Sequence, residues 1–262
     1  MFLTREEAIS FILACGQGKV SSKTKLNKLL ARLNLHFVPV DIDFRLNQFG
    51  SFSVDLQMES TPHYIAQEYA WQGNQGTSLQ LTGEGQRLAA DARKKILQIL
   101  SPQELNTLEV ELAELHALRA NEIADNEHRK LFVDVEDRHK LRDRVNVVHI
   151  DLLDLQETVS KEPQTFADIT YAALVEYCFF LSKYLKERRF RNIENSGDYE
   201  FDSYMLDYYF LYNLEQAIPE IQAQSKSPVK DERLLNKLYQ YFVNSAREYP
   251  FSLENLHLKE LM

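Results

Sequence analysis

The stretch TSLQLTGEGQRLAADARKK, residues 77–95, changes its hydrophobic period halfway along. Leu79 and Leu81 alternate with polar residues, which indicates a short strand. After the tetrapeptide Thr-Gly-Glu-Gly at 82–85, apolar residues recur at helical spacing, which indicates a helix. Thr82 is a suitable N-cap, and the two glycines ease a tight turn. The sequence therefore predicts a strand that passes directly into a helix at Thr82.

The chain before this stretch begins with two helices and an extended segment. Thr4 and Glu7 have the spacing of a capping box and predict the start of a first helix. Residues 21–37 repeat leucine at helical spacing and predict a second helix. Residues 37–44 alternate around Pro39, which predicts an extended segment or an edge strand.

A third helix and a hairpin are predicted next. Ser53 is a candidate cap for the third helix, which Pro62 ends, and residues 63–70 predict a further helical piece. Gly73-Asn74-Gln75-Gly76 lies between two short apolar runs and predicts a hairpin turn. The order helix, helix, extended segment, helix, hairpin and helix is that of a winged helix-turn-helix.

Three motifs in this part of the chain form a recognisable set: KTKLNKL at 23–29, FGSFS at 49–53 and LTGEGQRL at 81–88. Together they resemble the YwgA-like winged-helix proteins of bacteria and archaea, which are related to the Panacea antitoxin domains. Ser51 departs from the family pattern, in which a proline follows the glycine. The resemblance covers about residues 1–100 and implies a DNA-binding-like fold there. It implies nothing about residues 130–262.

Basic residues are the first candidates for a nucleic-acid interface, because lysine and arginine neutralise phosphates. One patch is predicted on and beside the second helix, and another on the helix after the hairpin. Glutamine on the third helix is suited to hydrogen bonding with adenine. The predicted DNA-binding residues are Lys19, Lys23, Lys25, Lys28, Arg32, Gln57, Arg87, Lys94 and Lys95.

The third helix argues for a different partner. Residues 53–70 contain no lysine or arginine, and they carry Asp55, Glu59 and Glu68 instead. Carboxylates near phosphates weaken DNA binding. The alternative interpretation is therefore an antitoxin-like module whose third helix binds a protein and which does not bind DNA directly.

Charge and glycine content divide the chain. Residues 1–100 carry 11 Lys and Arg against 9 Asp and Glu, whereas residues 101–262 carry 19 against 30. Seven of the eight glycines precede residue 86, so the later part is expected to be mostly helical. We predict a winged helix at 1–100, a linking or dimerisation helix at 101–128 and an acidic helical domain at 129–262.

The predicted linking helix carries a leucine stripe. Ser101, Pro102 and Glu104 form a strong helix start. An amphipathic helix of about six turns is predicted from there to about residue 125. Its stripe leaves two alternatives open, a coiled-coil seam in a homodimer and packing inside one chain. The leucines concerned are Leu105, Leu108, Leu112, Leu115 and Leu118.

The last part of the chain predicts a helical bundle. Residues 166–190, 201–221 and 231–249 have apolar and aromatic residues at helical spacing, and a short last helix is predicted in the tail. No run of about 18 apolar residues and no signal-peptide pattern occurs, which predicts a soluble cytoplasmic protein. Cys15 and Cys178 lie in apolar stretches and are expected to be buried free thiols.

No pattern typical of an enzyme stands out. The sequence has no HExxH motif, phosphate-binding glycine loop or nucleophile elbow, and we assign no catalytic residue, metal or cofactor. One weaker alternative rests on Arg144 and His149, whose spacing resembles the Arg-x4–6-His motif of the HEPN ribonucleases. Residues 145–153 are apolar and β-branched and predict a strand or a buried helix. The strand is favoured, whereas that motif lies on a helix. His149, Asp151 and Asp154 are also close enough in sequence for a metal site.

The leading function predicted from the sequence is a dimeric DNA-binding transcriptional regulator. Its winged helix-turn-helix is expected to contact double-stranded DNA, and its C-terminal domain is expected to dimerise or sense. The alternative is the partner-binding module described above.

Overall fold

The computed structural model describes residues 2–47, 50–70, 77–131, 138–159, 164–189 and 205–245. Within them the protein is mainly helical with a small antiparallel sheet, which confirms the coarse fold prediction. The chain divides into two compact units. Unit 1 comprises Met1–Lys130 with Phe201–Leu206, and unit 2 comprises Leu131–Glu200 with Asp207–Met262.

The elements up to residue 131 alternate short strands with helices. They are α1 (Arg5–Cys15), β1 (Lys19–Val20), α2 (Lys23–Arg32), a 3-10 turn (Leu33–His36), β2 (Arg45–Asn47), β3 (Gly50–Phe52), α3 (Val54–Met58), β4 (Ala66–Ala70), β5 (Thr77–Leu81), α4 (Gly83–Ile99), α5 (Pro102–Ala117) and α6 (Ala120–Leu131). The remaining elements are α7 (Arg138–Thr158), α8 (Phe166–Tyr184), a π-helical turn (Leu185–Arg189), α9 (Met205–Lys226) and α10 (Glu232–Ser245).

A three-stranded antiparallel sheet lies in unit 1, in the order β1-β5-β4. Leu79 on the central strand faces Val20 on one side and Glu68 on the other. The apolar face of α1 packs against α4 and is fully covered at Ile12 and Leu13. Thr4 and Glu7 form the capping box predicted for α1. Local capping and burial of one apolar face thus fix the first helix where the sequence places it.

The strand-to-helix junction at Thr82 is confirmed. The Thr82 side chain accepts a hydrogen bond from the Gly85 amide at 3.2 Å, and the Thr82 amide donates to the Ile65 carbonyl at 3.0 Å. A side chain on Gly85 would overlap that same Ile65 carbonyl and would lie 2.6 Å from Leu81 Cδ1. Gly83 has open space around it. Only the second glycine is therefore required by a close approach of two backbones.

One prediction between α2 and β5 is wrong. The piece predicted as helical at 63–70 contains strand β4 at Ala66–Ala70, because its backbone pairs along the whole of β5. An antiparallel pair of β2 and β3 also forms, with Arg45 opposite Phe52. In the segment predicted as extended at 37–44, Val40 bridges to Leu3, whereas Phe37 is left-handed, with φ 57°. Residues 73–76, the predicted hairpin turn, lie outside the described residues.

The single linking helix is also a wrong prediction. Helix α5 starts at the predicted capping box but ends at Ala117, and α6 begins at Ala120. Leu118 between them is extended, with φ −81° and ψ 161°. Leu105, Leu108 and Leu112 are fully buried within unit 1, where α5 contacts α1, α2 and α4. The leucine stripe therefore belongs to the core of one chain and offers no seam for a coiled-coil dimer.

The described residues of unit 2 form four long helices. Helix α8 contacts both α7 and α10, and Phe210 on α9 meets the rings of Tyr241 and Phe242 on α10. The tyrosine-rich stripe predicted for α9 is core, since Tyr208 and Tyr209 are buried. These contacts confirm the predicted helices, whereas the predicted tail helix at 252–262 lies outside the described residues.

Residues 145–153, which favour a strand in isolation, lie inside helix α7. Val145, Val148 and Leu152 recur at helical spacing and are buried. Burial of one stripe against α8 thus outweighs the strand preference of β-branched residues.

Both cysteines are free thiols in the part of the chain that is described. Burial raises the pKa of the Cys15 thiol to about 12 and also raises the pKa of Cys178. Neither forms the reactive thiolate at neutral pH. No described helix is long and apolar enough to cross a membrane.

Candidate functional site

Helix α2 carries half of the predicted DNA-binding cations, and the fold turns three of them inward. Lys25, Lys28 and Arg32 are all buried. The Lys25 ammonium donates to the His116 carbonyl at the end of α5, at 2.5 Å. Burial lowers the pKa of Lys25, and the Glu122 carboxylate opposes that shift. Because these three side chains are buried, they are unavailable to phosphates. Their assignment as DNA-binding residues is therefore corrected.

A buried charge cluster joins α2 to α6. Glu127 is fully buried, and its carboxylate accepts hydrogen bonds from the Ser51 amide at 3.0 Å and the Ser51 hydroxyl at 2.5 Å. The Lys28 ammonium lies beside it, and a Cβ placed on Gly50 would lie 2.7 Å from the Glu127 carboxylate and 3.0 Å from the Lys28 ammonium. Burial lowers the pKa of Lys28, and Glu127 opposes that shift. The cluster therefore ties three segments together around a compensated pair of charges.

Two more of the predicted cations are held by carboxylates. Lys23 forms an ion pair with Glu68 at 3.1 Å, and Lys95 forms one with Glu7 at 2.6 Å. Among the other predicted residues, Arg87 and Lys94 are exposed but pair with acids one turn away on α4. Lys19 and Gln57 are exposed. The predicted patches thus do not assemble into one basic surface.

The surface around α3 has a different character. Val54, Met58 and Tyr64 are exposed to 43%, 80% and 53%, although each is a large apolar or aromatic side chain. Val54 and Met58 are four residues apart and share one side of the helix. The sequence shows Val54 and Met58 as an apolar pair at i, i+4, but its interpretation rested on the acidic residues of the same segment.

Helix α3 has only five residues, and side-chain contacts hold it in place. Leu56 is buried beneath it. The Ser53 amide donates to the Asn27 side-chain oxygen at 2.8 Å, and the Asn27 amide group donates to the Lys23 carbonyl at 3.1 Å. Asn27 thus satisfies a backbone donor that a helix start leaves open. Sequence reasoning missed this buried asparagine within the leucine-rich helix.

The acidic residues near α3 are largely neutralised. Glu59 pairs with Arg5, and Glu68 pairs with Lys23. Burial raises the pKa of Glu68, but the Thr61 amide and the Lys23 ammonium outweigh it, so the pKa lies below its ordinary value. Asp55 is exposed and has no ion pair among the described residues. The α3 surface is therefore apolar with one free negative charge.

Arg144 and His149, the two residues of the predicted Arg-x4–6-His motif, each contact a different partner. The Arg144 guanidinium makes two hydrogen bonds to the Glu215 carboxylate, at 2.8 and 2.7 Å. His149 stacks on Phe179 and contacts the Ser182 hydroxyl at 2.9 Å. Because that hydroxyl donates to the Phe179 carbonyl, it accepts from His149 and is not activated by it. Both side chains have structural partners in the bundle.

His149 provides a pH prediction. Burial, helped by the Lys186 ammonium, lowers its pKa from the ordinary 6.5, so the unfolded chain binds this proton more readily. The stabilising effect of neutral His149 is complete above about pH 6.5 and is lost as the pH falls below it. We expect His149→Phe to unfold with a shallower loss of stability between about pH 7 and pH 5. Urea unfolding followed by circular dichroism measures the slope.

The matched control is His63→Phe, since His63 is exposed. This variant is expected to keep the wild-type dependence on pH. Identical slopes in His149→Phe and the wild type would contradict the prediction.

The described residues contain no candidate metal site. No group of three or more His, Cys, Asp and Glu residues there could hold an ion, and His149, Asp151 and Asp154 form no such group. Comparison with known proteins gives no relatives: no family model, curated protein or solved structure matches the chain.

Proposed function

We propose that unit 1 is a winged-helix module that binds a protein partner through α3. The order α1, β1, α2, α3, β4 and β5 supports a winged helix, as does the sheet order β1-β5-β4. In such folds the helix before the wing lies at the recognition surface. Here that position belongs to α3.

The observation that carries the proposal is the exposed apolar surface of α3. Met58 and Tyr64 are residue types enriched at protein interfaces, and Val54 lies one turn from Met58. No lysine or arginine lies between residues 53 and 70. The matching partner surface would supply apolar contacts and a cation facing Asp55, as charge complementarity requires.

A substitution at Met58 tests this surface. Met58→Asp places a charge where the proposal requires an apolar contact, without disturbing the core, because Met58 is the most exposed of the three. We expect at least a tenfold loss of partner affinity, since truncating an interface anchor costs on the order of 2 kcal/mol. The measurement is co-purification of a defined partner with the tagged full chain, followed by titration of that partner.

Val110→Asp is the matched control. Val110 is half exposed on α5 and is not part of the α3 surface. A partner that binds the wild type and Val110→Asp equally but loses Met58→Asp supports the proposal. A partner that is retained by Met58→Asp contradicts it.

DNA binding is the second candidate, favoured by the exposure of Lys19, Arg87 and Lys94 on β1 and α4. Fluorescence anisotropy with random-sequence duplex at low and moderate salt separates the two functions. Binding that weakens steeply with salt and is lost in Lys19→Glu would support the DNA-binding candidate. Under the proposed function, the duplex produces no salt-dependent rise in anisotropy.

A further inference from the structure

Unit 2 contains a groove between α7 and α9 with a volume of about 660 Å³. This volume lies within the range of small-molecule sites, roughly 300–1,000 Å³. Its walls combine carboxylates with aliphatic side chains, and Val147 is 58% exposed there. None of the residues that line the groove belongs to α3, so the groove is independent of the function proposed for unit 1.

Among the described residues that line the groove, carboxylates outnumber cations. Three carboxylates line it, those of Asp143, Asp151 and Glu215, and the only lining cation among the described residues is Arg144. Arg144 is engaged by Glu215 through two hydrogen bonds. The carboxylates of Asp143 and Asp151 form no ion pair with other described residues. The groove is therefore suited to a cation and unsuited to an anion.

The two aspartates are spaced along one side of α7. Asp143, Val147 and Asp151 are each four residues apart, so they follow one another on the same side of the helix. Eight residues of helix rise by about 12 Å. Two acceptors at that separation cannot share one metal ion, and they have an aliphatic side chain between them.

The opposite wall continues the same pattern. Ile218 and Pro219 of α9 line the groove. Pro219 lies inside the helix and has no N–H, so the Glu215 carbonyl receives no helical hydrogen bond from it. This wall therefore adds apolar surface and a backbone acceptor.

We infer that the α7–α9 groove binds a linear aliphatic polyamine. Its terminal ammonium groups lie at Asp143 and Asp151, and its methylene segments lie over Val147 and Ile218. Its central secondary ammonium donates to the Glu215 carbonyl, which Pro219 leaves without a helical hydrogen bond. An extended triamine with three and four methylenes spans about 11 Å, given bonds of about 1.5 Å. That length matches the separation of the two carboxylates.

Isothermal titration of the full chain with spermidine tests the inference. We expect saturable binding with one site per chain. Asp143→Asn and Asp151→Asn are each expected to weaken it about threefold, and the double variant about tenfold, as partly exposed ion pairs allow. Asp154→Asn is the control, because Asp154 is exposed on α7 but does not line the groove.

A second pair of variants tests the aliphatic part of the site. Val147→Lys places an ammonium group between the two aspartates and is expected to abolish binding. Ile150→Lys adds the same charge at a residue of similar exposure outside the groove lining and is expected to preserve it. Thermal unfolding of each variant reports whether the bundle is intact.

The net charge of −9 attracts any polyamine weakly, so the specific site must be distinguished from that background. Titrations are repeated with magnesium chloride added to a matched ionic strength. Heat that disappears with magnesium, equal weakening by Asp154→Asn, or unchanged binding in the double variant would each overturn the inference.

Discussion

Replacing Gly85 by alanine is expected to destabilise unit 1 by about 3 kcal/mol, as forced overpacking does. The new methyl group would overlap the Ile65 carbonyl oxygen and would lie 2.6 Å from Leu81 Cδ1. That carbonyl is held in place by hydrogen bonds from the Thr82 amide and hydroxyl, at 3.0 and 3.1 Å. The backbone of β4 or the start of α4 must therefore shift. Urea unfolding monitored by circular dichroism measures the loss.

Gly83→Ala is the matched control, two residues earlier in the same helix. No atom lies within 4 Å of a side chain placed there. Since alanine favours helix over glycine by roughly 0.5–1 kcal/mol, this variant is expected to be unchanged or slightly more stable. Equal destabilisation by the two substitutions would show that the Ile65 contact is not what requires glycine at 85.

Glu127→Ala is expected to destabilise the protein by about 3–5 kcal/mol, because it leaves a buried ammonium without its partner. Glu127 is fully buried, and Lys28 is almost fully buried. The Glu127 carboxylate also accepts a hydrogen bond from the Ser51 amide. The lost stability comes from the contacts of α6 with α2 and β3. Equilibrium unfolding in urea gives its size.

A double variant separates the charge effect from simple truncation. Lys28→Met with Glu127→Leu removes both charges and keeps apolar volume. It is expected to recover the part of the stability loss that is due to charge, since both variants remove the acceptor of the Ser51 amide. Asp125→Ala, at an exposed position of the same helix, is expected to change little. A double variant as unstable as Glu127→Ala would contradict the charge explanation.

The features predicted correctly depend on neighbours in sequence. The hydrogen bonds of the capping boxes at Thr4 and Ser101, and of the junction at Thr82, join residues only three apart. They can therefore be predicted from the local sequence. Strand β4 was missed because its pairing with β5, and not its own composition, decides its conformation. Residues 145–153 left a strand and a buried helix open, and burial against α8 decides for the helix.

The candidate site was harder to predict than the fold. Lys28 looks like a solvated cation until it meets Glu127, almost one hundred residues later. Glu68 looks like a repulsive charge until Lys23 pairs with it. Long-range pairing of this kind changes which side chains a partner can reach, and no local pattern records it. The exposed pair Val54 and Met58 was visible as spacing, but its exposure was not.

Lysines of α2 are covered by groups on α5 and α6, which are synthesised later in the chain. The His116 carbonyl and the Glu127 carboxylate, which engage Lys25 and Lys28, are translated well after β5. A fragment cut at residue 100 would lack both of these groups and would leave the sides of α1, α2 and α4 that contact α5 open to water. A nascent chain passes through the same state until α6 emerges from the ribosome. The first hundred residues therefore need the next thirty to complete their fold.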